Sequence, residues 1–390
     1  MVFSLLASAG PGINGFFGKT GHVTAAGRKR KFLSLQQAFL YNASMGKTFL
    51  SLALTGAAVL AGAQAPAGNA EETGAALHRR LLVFDAHAHG VLPGAGGGTA
   101  GEQASLENLR RGGVDAVVLP LPLGEAGGDP AAGVLADAAT VRGLLSRSEA
   151  AGLALGAADV RALHRQGRIA VMLGLESFDG PLGGDTAVLA RFHRAGIRVI
   201  TLAEGGRDRL SDFDPKNPEV GPLSDFGRRV VREMNRLGLL IDVSHLSDRE
   251  QRAVVALSSA PVIASHSNCR SLVPTPRNLP DDVVAALAEK GGALMLDCDS
   301  ATLTGRAGRA PMAALVAHLE HVRGKAGAAH AGIGSDFGGS GSTGPMGLET
   351  AAGWPNLTAA LLARGWSPEE IAGVMGENLL RILDAAARSR

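Results

Sequence analysis

From Leu81 onward the chain alternates short apolar runs with longer segments of helical character. The runs cover residues 81–84, 114–119, 169–175, 197–202, 239–243, 261–264, 293–296 and 331–334. Continuous apolar runs of this length are how strands read when both faces are buried, as in a parallel sheet. Helices are predicted between them, at 223–237, 281–290 and 311–325, and the segment 137–164 is helix-like and longer than the other crossovers. Ser247-Asp248-Arg249-Glu250 is a capping box that starts a helix just after the fifth run. Ser367-Pro368-Glu369-Glu370 opens the last helix with a cap, a proline at the first helical position and an acidic first turn. Eight strand-and-helix alternations predict an α/β fold, a (β/α)8 barrel of the TIM type, in a single domain over residues 81–390. The doubly wound alternative is disfavoured, because no G-x-G-x-x-G follows the first run.

The carboxyl ends of barrel strands are where chemistry collects. The first run leads to His87 and His89, the third to Glu176, the fourth to Glu204, the fifth to His245, the sixth to His266 and the eighth to Asp336. Alternate residues of an extended strand share a face, so His87 and His89 can grip one ion together. Neutral imidazole and carboxylate suit Zn2+. His87, His89, Glu176, His245 and His266 are too many ligands for one tetrahedral ion but suit two ions bridged by Glu176. Asp85 and Asp242, two or three residues before ligands, either orient imidazoles or are buried structural carboxylates. His78, His164, His193, His318 and His321 are read as surface or packing residues, and His330, before the eighth run and near the opposite face, is left outside the site.

Composition changes the picture at the amino end. The formal charge of +2 hides an asymmetry, because residues 1–63 hold six basic residues and no acidic ones. The remainder carries 32 basic against 36 acidic residues, a net of −4, with no basic footprint for nucleic acid. Residues 49–60 form an apolar run too short for a bilayer, which needs about 20 residues. With Ala61-Gly62-Ala63 before Gln64, it reads as a secretory signal cleaved near Ala63, for a periplasmic or secreted protein. Residues 1–63 are thus expected to be an extended N-region and signal, with Met45 an alternative start, and residues 64–80 a linker. Cys269 and Cys298 have no zinc-finger spacing.

Several motifs then carry a family resemblance. They are Pro222-Leu223-Ser224-Asp225-Phe226-Gly227, Ile241-Asp242-Val243-Ser244-His245, Ala264-Ser265-His266-Ser267-Asn268, Pro276-Arg277-Asn278-Leu279-Pro280-Asp281-Asp282, Gly332-Ile333-Gly334-Ser335-Asp336-Phe337 and Gly376-Glu377-Asn378-Leu379-Leu380-Arg381. Across roughly 81–383 the chain resembles the membrane (renal) dipeptidases, zinc metallopeptidases on a β/α barrel within the amidohydrolase-like group. The resemblance implies one zinc at His87 and position 89, a second at His245 and His266, and Glu176 as the bridge. It also implies Asp336 as the acid/base carboxylate beside a metal-bridged hydroxide, and Arg277 as the partner of the substrate's terminal carboxylate. The implied reaction is hydrolysis of a small dipeptide, with a homodimer left open as an assembly.

Three positions depart from the family's pattern. The family has Asp where His89 stands, a catalytic His where Thr201-Leu202-Ala203 leads to Glu204, and a glycine where Ser177 stands. Two other readings stay open: an amidohydrolase acting on another small amide or lactone, and a metal-binding relative with impaired catalysis. Asp336 and Arg277 favour an enzyme, since a scaffold needs neither.

Overall fold

The computed structural model describes residues 67–92, 102–121, 129–176, 182–203, 210, 221–339 and 343–389. Its strands are β1 (Phe84–Asp85), β2 (Ala116–Leu121), β3 (Ala151–Leu153), β4 (Ile169–Leu175), β5 (Ile197–Thr201), β6 (Leu240–Asp242), β7 (Val262–Ser267), β8 (Ala293–Leu296) and β9 (Ala331–Ile333). All are parallel, and all but β3 follow chain order around the sheet. Backbone bonds join the last strand to the first: Ala86 N–H to the Ile333 carbonyl (3.0 Å), Asp336 N–H to His87 (2.9 Å) and His89 N–H to Phe337 (2.8 Å). The predicted eight-stranded barrel is therefore the observed one.

Residues 137–164 do not form one helix. The helix Pro130–Ser146 stops, β3 follows, and a second helix covers Ala157–Arg165. The cause lies in the next strand. β5 pairs only with Leu173–Leu175 of β4, so the first half of that edge needs another partner. β3 supplies it, with Ala151 opposite Ile169 and Leu153 opposite Val171. Residues 67–78, expected within a linker, are also helical. Its last residue, His78, is buried and bonds Thr358 Oγ1 (2.7 Å) and the Gly112 carbonyl (2.8 Å).

Capping boxes are present at Ser247 and Ser367, and Ser224 caps the helix Asp225–Leu237. The core divides by strand alternation. Phe84, Val118, Met172, Val199, Ile263 and Met295 form an inner cluster, closed by Leu379 and Ile382 of the helix Asn378–Arg388. Val117, Val171, Leu173, Ile241 and Leu294 belong to the outer cluster against the helices. Continuing the inward parity of Ala170 and Met172 along β4 turns Glu176 into the barrel mouth.

Candidate metal centre

At that mouth the two oxygens of Glu176 face two different histidine pairs. Oε2 lies 3.5 Å from His87 Nε2 and 3.4 Å from His89 Nε2, and those nitrogens are 3.1 Å apart. Oε1 lies 3.1 Å from His245 Nε2 and 3.2 Å from His266 Nε2, which are 2.9 Å apart. Asp336 Oδ1 joins the first group, 3.3 Å from His89 Nε2 and 3.8 Å from His87 Nε2. The halves touch where the His87 and His266 rings stack at 3.9 Å. A tetrahedral zinc ion with bonds of about 2.0–2.1 Å sets its ligands about 3.3 Å apart. The nitrogen and oxygen spacings straddle that value, so the donor set fits a small divalent ion.

Local backbone explains how these side chains converge. His245 and Asp336 both adopt the left-handed region, with φ of 68° and 54°. A residue other than glycine is uncommon there and has to be held by its surroundings. Buried aspartates provide the hold. Asp242 accepts from the N–H groups of Ser244 (2.9 Å) and Ser265 (2.7 Å) and from the Ser265 hydroxyl (2.5 Å), linking β6 to β7. Asp85 accepts from the N–H groups of His87 (3.2 Å) and Ser335 (2.8 Å) and from the Ser335 hydroxyl (2.5 Å), linking β1 to the segment after β9. Among the described residues neither aspartate bonds an imidazole directly; each acts through a serine one residue before Asp336 or His266. The register between β7 and β8 shifts between Ala264 and Ser267, which is where Ser265 and His266 leave the regular ladder.

The electrostatics favour a cation in the first half. Burial opposes charge on His89, but hydrogen bonds to Asp336 and Glu176 outweigh it and push its pKa up to about 9. Burial also works against the Glu176 anion, yet the charge of its imidazole neighbours, His87 foremost, holds its carboxyl well below the usual range. His266 behaves oppositely to His89. Its burial, reinforced by its neighbours His87 and Arg277, pulls its pKa down to about 3. A neutral imidazole keeps a lone pair for an ion.

Arg277 reaches the second half. Its Nη1 donates to Ser267 Oγ (2.5 Å), and Nη2 donates to the His266 carbonyl (2.6 Å) and to His245 Nε2 (3.2 Å). Glu204 lies outside the described residues. Sequence reasoning missed Ser265, Ser335 and Asp297. The serines carried a visible signal, the Ser-His and Ser-Asp pairs at 265–266 and 335–336. Asp297 follows β8, and burial, then the Asp336 charge, push its carboxyl up to about 7 against the pull of Arg277. Its neighbours in an apolar strand offered no cue. The remaining histidines sit apart: His164 pairs with Asp115, His318 with Cys269 and Leu303, His321 with Asp281, and His330 with the Gly292 carbonyl.

Residues 74–390 match the family described as Membrane dipeptidase (Peptidase family M19). The chain belongs to the membrane dipeptidase family. Among curated relatives of this membrane dipeptidase family member, Dipeptidase aclJ from Aspergillus oryzae is 39% identical over 222 residues, 56% of this chain and 52% of that protein. The chain spans about half the length of the curated relatives it matches. The probable dipeptidase PvdM from Pseudomonas aeruginosa shares the fold, with a TM-score of 0.71 at 23% identity over 83% of this chain and 99% of that one. A metallo peptidase from Rhodobacter sphaeroides, liganded with a phosphinate mimic of the dipeptide L-Ala-D-Ala, gives a TM-score of 0.69 at 25% identity over 78% of this chain and 99% of that one.

Proposed function

We propose that this protein is a zinc-dependent dipeptidase with two ions, one held by His87, His89 and Glu176 and the other by Glu176, His245 and His266. The observation that carries this reading is the division of the Glu176 oxygens between two histidine pairs, at 3.4–3.5 Å and 3.1–3.2 Å. When bound, two such ions supply Lewis acidity for the scissile carbonyl and acidify water.

The chain's own residues do the rest. Glu176, inside the mouth and ionised, fixes the spacing between the halves. Asp336 takes a proton at Oδ1 during attack and returns it to the leaving amine, a role its position 3.3 Å from His89 Nε2 allows. Arg277, with guanidinium donors beyond those already engaged, pairs with the free carboxylate of the substrate and restricts cleavage to short peptides. In sequence, Glu204 brings back the negative charge that His89 removes relative to the family's Asp. The ligand of the Rhodobacter sphaeroides metallo peptidase supports a dipeptide with a D-residue in second position. Export through the 49–63 segment belongs to the same reading, with the mature chain starting at or near Gln64. Among the described residues no helix is long and apolar enough to cross a membrane.

The test is turnover of a dipeptide panel with L- and D-residues at the second position, alongside C-terminally amidated versions and a lactone. Release of amino acids from free dipeptides but not from the amides supports the reading. Zinc-loaded protein that cleaves none of the dipeptides overturns it, and turnover of the lactone alone would move the activity to another amidohydrolase class. Amino-terminal sequencing of protein from the producing cells checks export.

A further inference from the structure

The carboxylate of Asp242 is buried and receives four hydrogen bonds. Oδ1 accepts the N–H groups of Ser244 (2.9 Å) and Ser265 (2.7 Å). Oδ2 accepts the hydroxyls of Thr201 (2.5 Å) and Ser265 (2.5 Å). Two oxygens with four lone-pair sites, all occupied by donors, leave no place for a proton on the carboxylate. The hydrogen of Ser265 must therefore point at Asp242.

Ser265 Oγ is also 2.7 Å from His266 Nδ1. A hydroxyl has one hydrogen, and this one is already directed at Asp242, so toward His266 the oxygen can only accept. Nδ1 must then carry the hydrogen. The lone pair of Nε2 is left facing Glu176 Oε1, 3.2 Å away, on the side where His245 Nε2 also arrives. Among the described residues, His266 is the one of the four site histidines with a hydrogen bond at Nδ1. The other clamp differs at this point: Ser335 Oγ, after donating to Asp85, accepts the backbone N–H of Phe337 (3.2 Å) rather than an imidazole.

We propose that Asp242 and Ser265 are positioning residues that lock His266 in the Nδ1–H tautomer and so set the affinity of the ion held by His245, His266 and Glu176. The inference rests on the two-ion reading above and deepens it: one half of the centre has a built-in relay from a buried anion, through a hydroxyl, to a ligand ring. Such a relay raises the basicity of the ligand nitrogen and fixes the ring's orientation.

The experiment measures zinc stoichiometry and affinity by chelator competition on the full chain, for the wild type, Ser265→Ala and Thr201→Val. Ser265→Ala should weaken one ion by about 10- to 100-fold and leave the other unchanged. Thr201→Val removes a hydroxyl from the same carboxylate without touching the imidazole, and should change neither ion by more than about threefold, a small fraction of the effect a ligand's supporting partner has. Ser265→Ala protein that holds both ions as tightly as the wild type overturns the relay. So does an equal loss in Thr201→Val, which would mean that only packing around Asp242 matters. Should Ser265→Ala fail to fold, histidine nitrogen NMR on the metal-free wild type decides, with the His266 signals identified by their absence in His266→Gln. Hydrogen on Nδ1 supports the relay, and hydrogen on Nε2 overturns it. A wild type that holds fewer than two ions would instead defeat the two-ion reading, and the NMR result would still decide the tautomer.

Discussion

Asp85 and Ser335 stand 250 residues apart in the chain and are joined by two hydrogen bonds. The Ser335 N–H reaches Asp85 Oδ1 at 2.8 Å and its hydroxyl reaches Oδ2 at 2.5 Å. This contact ties the first strand to the last where the barrel closes, one residue before Asp336 takes its left-handed conformation. Ser335→Ala should cost about 1–3 kcal/mol, because it leaves a buried carboxylate oxygen short of a donor. Urea unfolding of the two proteins gives the difference. In the double variant with Asp85→Ala the two losses should be less than additive, as the partners share one interaction.

Removing ligands should separate the halves of the centre. His266→Ala should lower bound zinc from two ions per chain to one, whereas Glu176→Gln should weaken both, since each oxygen of Glu176 serves a different histidine pair. Metal analysis after dialysis reads this directly. Full occupancy in both variants would mean that these side chains do not hold the ions.

Gly339 leaves no room for a side chain. A Cβ there would lie 2.2 Å from Asp336 Oδ1 and 2.6 Å from His89 Cδ2. Gly339→Ala must displace one of the two, and a shift of about 1 Å in a reacting group costs on the order of 100-fold in rate. We expect kcat to fall by about that factor with the melting temperature little changed. Unaltered kcat would show that the carboxylate is free to move without penalty.

His318 supports the loop that carries Arg277. Its Nδ1 accepts the Cys269 N–H (3.0 Å) and its Nε2 lies 3.2 Å from the Leu303 carbonyl, a pattern only the neutral ring can make. Burial, opposed by the Leu303 carbonyl, holds its pKa down at about 4. Folding thus favours the neutral form. The stabilisation is fully present above the unfolded value near 6.5 and is lost as pH falls from there toward about 4, by about 3 kcal/mol in all. Urea midpoints measured at several pH values should show this loss, and His318→Gln should flatten it.

The departures at positions 89 and 204 should be coupled. If Glu204 makes up for the charge lost at position 89, Glu204→His alone should weaken the ion at His87 and His89. Adding His89→Asp should restore part of that affinity. Zinc affinities around the double-mutant cycle test this, and purely additive changes would show two unrelated substitutions.

How much of this was readable beforehand depends on the range of the physics involved. Apolar runs mark buried strands because burial on both faces acts residue by residue, so the barrel strands could be placed from pattern alone. The candidate ligands could be picked out because imidazole and carboxylate at strand ends have few other uses, and because i and i+2 share a face, as at His87 and His89. Capping boxes at Ser247 and Ser367 are equally local. What the chain's pattern could not decide was where backbone groups far apart in sequence find partners. β3 exists because β5 leaves half an edge of β4 unpaired, a fact of register between distant segments. The division of the Glu176 oxygens, the Asp85–Ser335 clamp and the burial of Asp297 likewise depend on barrel closure, which brings side chains up to 250 residues apart within hydrogen-bond distance. Side-chain type is a local property that sequence carries in full; the proton positions and charge states that turn those types into a site follow from neighbours that only the closed barrel supplies.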